Sequence, residues 1–128
     1  GPKDIENNQC VVVRRDNGEK TVVSLDELET KLPELLKAVH DGLYNKALER
    51  RAAMTFEAHN LEEFKNIADN KSGFIKAMWC GERECEDKLK EYAGITSRCI
   101  PFEQEHIDGK CVCCGKEAKH MLYWGKAY

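Results

Sequence analysis

Long apolar runs are missing from this 128-residue chain, and with them the hydrophobic span that a membrane-crossing helix requires. The opening residues also lack the basic and apolar blocks of a signal or transit peptide, which points to a cytoplasmic chain with reduced thiols. Proline is scarce, and 41% hydrophobic against 34% charged content is the balance of a folded globular protein, not of a disordered one. An excess of positive charge is missing too. With 20 Lys and Arg against 23 Asp and Glu, no broad cationic face is offered to a polyanion, so neither DNA nor a membrane surface is an expected partner. Internal repeats, low-complexity tracts, phosphate loops, paired-carboxylate sites and catalytic triads are absent. The length suits one compact domain, or a small domain with the edge of another.

What the chain has in quantity is cysteine, seven residues in all. An odd count cannot be wholly disulfide-bonded, and in a reducing compartment metal binding is the better expectation. Cys80-Gly-Glu-Arg-Glu-Cys85 and Cys111-Val-Cys-Cys114 form two close pairs joined by a longer segment. That is the layout of a four-thiolate zinc site, each pair curling round half a tetrahedron. Gly115 follows Cys114, where a metal knuckle turns sharply, so Cys111 and Cys114 make a better pair than Cys111 and Cys113. Arg83, Lys88, Lys110 and Lys116 are the nearest cations to balance the thiolates. Two other readings compete: cysteines as core filler, and a redox pair, which would need one pair instead of two. Four protein ligands leave no open position, so the zinc would be structural. Cys10 and Cys99 lie in apolar strand contexts and read as core; Cys113 reads as an exposed thiol or a substitute ligand. His40, His59, His106 and His120 show no metal spacing, although His120 is near enough to the knuckle to support it.

The remaining pattern is mixed. Valine-rich runs in residues 10–24 flank Asp16-Asn17-Gly18, the signature of a hairpin with a tight primed turn. Ser24 and Glu27 form a capping box for a helix running to about Arg51, with Pro33 kinking or restarting it. Asn60 caps a helix through about Ala68. Residues 74–79 read as a buried strand, 84–92 as a helix closed by Gly94, 95–102 as a strand broken at Pro101, and 119–123 as a last strand. The fold class is α/β (α+β): a hairpin and long helix over residues 1–52, then a small zinc-stabilised α/β sandwich over 53–128.

The opening stretch GPKDIENNQCVVVRRDNGEKTVVSLDELETKL resembles the closing segment of the class II aminoacyl-tRNA synthetase anticodon-binding domain. CGERECEDKLKEYAGITSRCIPF, the knuckle KCVCCGKEAKHMLYWGKAY and a terminal Tyr resemble the C-terminal zinc-binding domain of eukaryote-like prolyl-tRNA synthetases. The resemblance covers essentially the whole chain. It implies a dimeric enzyme that activates proline with ATP and Mg²⁺ and transfers it to tRNA-Pro, of which this chain holds no catalytic domain. Carried over by position, it assigns Cys80, Cys85, Cys111 and Cys114 to structural zinc. Tyr128 is assigned to contact with the enzyme's own catalytic domain. Lys3, Arg14, Arg15 and Lys20 are the residues available to touch RNA phosphate, although strand-edge cations are more often solvated or ion-paired. Gly1-Pro2 matches the family's own sequence as well as a cloning scar. Upstream strands should cover Val11, Val13, Val22 and Val23; without them an exposed apolar patch or pairing between chains is expected. A stand-alone zinc-dependent RNA- or protein-binding module is the alternative reading, and a zinc enzyme would require an open coordination site.

Overall fold

The two valine-rich runs pair as antiparallel strands β1 (Gln9–Val13) and β2 (Lys20–Ser24), with Val11 opposite Val22 and Cys10 opposite Val23, in a computed structural model that describes residues 1–127. The connection between them is wider than the primed turn that Asn17-Gly18 suggests. The Arg14 N–H donates to the Glu19 carbonyl at 2.8 Å and the Gly18 N–H to the Arg14 carbonyl at 2.9 Å, which closes a four-residue loop. Within that loop only Gly18 has a positive φ, +76°, whereas the turn that Asn-Gly favours needs two such residues. Asn17 instead accepts the Glu19 N–H on its side chain at 2.9 Å, and Asp16 holds the Arg14 guanidinium at 2.7 Å. Local side-chain bonding has displaced the tight turn.

A short helix, α1 (Pro2–Glu6), precedes the hairpin and was not legible in the pattern; Pro2 sits in its first turn. After β2, one 3₁₀ turn over Leu25–Glu27 leads into α2 (Leu28–Ala53). Ser24 caps this entry by accepting the Asp26 N–H at 3.3 Å; the reciprocal Glu27 bond of a capping box is not among the described hydrogen bonds. The helix runs through Pro33 without a break, giving up the bond that a residue 33 N–H would make to the Glu29 carbonyl. Much of its apolar stripe stays open: Leu36 and Leu43 are 69% and 55% exposed, whereas Leu28, Leu35 and Val39 are half-buried. Val11, Val13 and Val22 are likewise exposed. Val23 departs from that expectation and is buried, because the pleat sends it to the face opposite Val11 and Val22. These elements, apart from the last turn of α2, belong to a first unit, Gly1–Glu49, and the second begins at Arg50.

The second unit is a four-stranded mixed sheet in the order β3-β4-β6-β5, carrying two helices. Strand β3 (Thr55–Ala58), which the pattern did not reveal, pairs in parallel with β4 (Phe74–Trp79) across helix α3 (Leu61–Asn70). Asn60 caps α3 by accepting the Glu63 N–H at 2.9 Å, and the Glu63 carboxylate accepts the N–H of His59, the residue before the cap, at 2.9 Å. Helix α4 (Arg83–Ala93) ends at Gly94 in the left-handed region and leads to β5 (Ile95–Cys99). The last strand, β6 (His120–Lys126), inserts between β4 and β5 and is antiparallel to both. It extends past the expected Tyr123 because Trp124 and Gly125 pair with Ile75 and Phe74. Strand β5 is shorter than expected. Its register against β6 slips between Ser97 and Cys99, and Ile100 and Phe102 are exposed. Cys99 is therefore on the surface, not in the core. Phe64 and Trp124, both fully buried, meet edge to face at 6.0 Å at the centre of the core, with Leu89 and Ile95 around them.

Gly73 marks the closest backbone approach in this unit. Its φ is +138°, and a Cβ there would lie 2.1 Å from the Met54 carbonyl oxygen, the group that accepts the first N–H of β4 at 2.8 Å. Gly94 also has positive φ but open space where a Cβ would be. Gly94→Ala should therefore cost about 1–2 kcal/mol, the left-handed strain alone, and Gly73→Ala distinctly more, because backbone must also move. Chemical denaturation of the two variants checks this, and an equal or smaller cost at Gly73 would contradict it.

Candidate metal centre

The antiparallel pairing of β4 and β6 brings the two cysteine pairs together. Their register sets Trp79 opposite His120, so the residue leaving β4, Cys80, emerges at the sheet end where the chain enters β6. The segment before β6 is pinned to that end by two backbone bonds, Val112 N–H to the Met78 carbonyl at 2.9 Å and Lys119 N–H to the Trp79 carbonyl at 2.8 Å. Within it, Lys110 and Glu117 pair as a small hairpin. The Cys111 N–H donates to the Lys116 carbonyl at 2.7 Å and the Gly115 N–H to the Cys111 carbonyl at 2.9 Å. Gly115 takes φ +71°, the turn that its place after Cys114 suggested. Cys85 reaches the same point from the third position of α4, where the positive end of a helix favours a thiolate.

The sulfurs of Cys80, Cys85, Cys111 and Cys114 all lie within 4.8 Å of one another, and among the described residues they are the group able to hold a metal ion. Cys80 and Cys85 are 3.7 Å apart, and Cys114 and Cys80 3.8 Å. A tetrahedral ion with metal–sulfur bonds of about 2.3 Å sets its sulfurs about 3.8 Å apart. The donor set therefore fits such an ion, with every one of its four positions taken by protein. Cys80, Cys85 and Cys111 are 3%, 4% and 2% exposed, whereas Cys114 faces solvent. Burial pushes the Cys80 and Cys85 thiols up, which is the cost of keeping thiolates there without a cation. The Lys116 backbone N–H beside Cys114 brings that thiol down to about 7.

Cys113 is half-buried and packs against Cys80, Cys85 and Cys111, outside the four-sulfur group. His120 stands 6.4 Å from the Trp79 ring. Trp79 was not singled out by the sequence, yet its indole N–H donates to the Glu82 carbonyl at 3.1 Å and braces the turn between Cys80 and Cys85. Gly81, at φ +94°, makes the same turn possible; its place inside Cys-Gly-Glu was the available signal. The cationic residues expected near RNA lie in the first unit. Lys3, Arg15 and Lys20 are exposed, while Arg14 is held by Asp16, by Glu19 at 3.3 Å and by the Ala38 carbonyl. Tyr128 lies outside the described residues.

A family model described as "Prolyl-tRNA synthetase, C-terminal" matches residues 61–128. A proline–tRNA ligase of Clostridium novyi is 66% identical over all 128 residues, and a proline–tRNA ligase 2 of Bacillus cereus is 62% identical. The chain spans 27% of the length of each. The solved prolyl-tRNA synthetase of Cryptosporidium parvum, complexed with L-proline and AMP, superposes with a TM-score of 0.91 at 32% identity, covering 100% of this chain and 28% of that one.

A thiol with a pKa of about 7 is about half thiolate at neutral pH, and thiolate is the form that attacks an alkylating reagent. In the reduced chain at pH 7, on a pulse given as the metal is withdrawn and before the unit opens, Cys114 should be alkylated well before Cys80 and Cys85. Its rate should fall roughly tenfold per pH unit on the acid side. Peptide mapping after a brief iodoacetamide pulse reads the order, and early labelling of Cys85 would contradict it.

Proposed function

The chain belongs to the prolyl-tRNA synthetase C-terminal family, and on that premise we propose that it is the C-terminal part of a proline–tRNA ligase, with residues 1–52 ending the anticodon-binding domain and residues 53–128 forming a zinc-stabilised appendix. The observation that carries the zinc assignment is the convergence of four sulfurs at tetrahedral spacing. Cys80, Cys85, Cys111 and Cys114 hold Zn²⁺, which suits an all-thiolate tetrahedron. Bound there, zinc supplies charge neutralisation and cross-linking, not a reactive water, because every position is taken by protein. Structural zinc contributes roughly 10–16 kcal/mol in small domains. That is comparable to the whole stability of a small domain.

Charging tRNA-Pro with proline, and the use of ATP and Mg²⁺, belong to the longer, dimeric cytoplasmic enzyme. The role of this chain in it is architectural. Exposed Val11, Val13 and Val22, with Leu36 and Leu43 of α2, are the surface that the rest of the enzyme covers. Lys3 and Arg15 are free to approach tRNA phosphate; Arg14 is the weakest of the three candidates because two carboxylates already engage it. Tyr128 contacts the enzyme's own catalytic domain.

Exchanging the corresponding C-terminal segment of the Clostridium novyi ligase for this chain tests the reading. The chimera should charge tRNA-Pro with proline at a rate near that of its parent, measured with radiolabelled proline. A chimera that folds, binds one zinc and fails to charge would refute the assignment.

A further inference from the structure

Five thiols converge where a tetrahedral ion takes four. Cys80, Cys85 and Cys111 are buried and fixed, the first at the end of β4, the second in the first turn of α4 and the third by backbone bonds to Lys116. The fourth, Cys114, is exposed and sits on a turn that ends in Gly115. It is the ligand a solvent-borne oxidant or electrophile meets first. Its neighbour Cys113 is half-buried, packed against the three fixed cysteines on one side and the apolar core on the other. Gly115 supplies the turn at φ +71°, and one backbone bond, from the Gly115 N–H to the Cys111 carbonyl, closes it across Cys113 and Cys114.

We propose that Cys113 is a reserve ligand of the metal centre, taking the fourth position when Cys114 is lost. The proposal rests on the metal reading above. In the exchange the metal bond to the Cys114 sulfur breaks, one to the Cys113 sulfur forms, and the Cys113 proton passes to solvent. No electrons are transferred. The three buried ligands stay in place, and the centre survives chemical damage to its exposed corner.

Zinc and cobalt binding by the whole chain tests this, comparing wild type, Cys113→Ser, Cys114→Ser and the double variant. Cys113→Ser should bind one ion as wild type does. Cys114→Ser should still bind one ion, at least about tenfold more tightly than the double variant, and keep a sulfur-to-cobalt charge-transfer band of four-thiolate intensity that the double variant lacks. Equal affinity and equal bands for Cys114→Ser and the double variant would overturn the reserve-ligand role while leaving the centre intact; a wild-type chain that binds neither ion would overturn both. Because a substitution can impair folding, the same question is put to unsubstituted chain alkylated at Cys114 alone in its metal-free form. Added cobalt should then shield Cys113 from a second thiol reagent, and Cys113 labelled as fast with cobalt as without it would count against the proposal.

Discussion

Tetrahedral convergence of four sulfurs is the constraint on which the second unit depends. Two of them leave one strand and enter a helix; the other two lie on a hairpin before the final strand. They can meet only if the final strand runs antiparallel beside β4, and it does, with Trp79 opposite His120. The sheet order follows from the same requirement. Strand β5 is antiparallel to β6 and so runs the same way as β4, which leaves its end on the Cys80 side, where the knuckle follows before β6 begins. A metal at that corner would fasten the start of α4 to the end of β4 and the knuckle, which the Phe64 and Trp124 core already meets through Trp79 and Val112.

The two units are stabilised by different means. The second buries Phe64, Leu89, Ile95, Met121 and Trp124 almost completely. The first, among the described residues, buries Val23 alone. A hairpin with one buried side chain and a helix most of whose leucines face water is marginal in isolation. Its apolar surface is what a segment spanning 27% of its relatives would present if the remaining length supplied the cover.

Much of this was readable from residues because its causes are local. The cysteine pairs are set by ligand spacing, the Asn60 and Gly94 boundaries by capping chemistry, and the strand 74–79 by a short apolar run with turn residues before it. What escaped is mostly non-local. Strand β3 carries a mixed Thr-Phe-Glu-Ala pattern and is a strand because β4 lies alongside. The fate of Cys99 turns on a register slip against β6 that no neighbouring residue announces. The hairpin loop misled for another reason: Asn17-Gly18 favours a tight turn, and the bonds made by Arg14, Asp16 and Glu19 outweigh that preference. The choice between Cys113 and Cys114 depended on the knuckle's backbone, which the sequence constrained only through Gly115.

The most direct test is native mass spectrometry of the reduced chain, with bound metal counted before and after treatment with a strong zinc chelator and amide exchange followed over β4, α4 and the knuckle. The account predicts one zinc per chain, three of the seven thiols free of metal, and loss of exchange protection at those segments once zinc is removed. A chain that carries no metal, has all seven thiols reactive after mild unfolding, and keeps that protection regardless would contradict the claim that the centre holds the unit together.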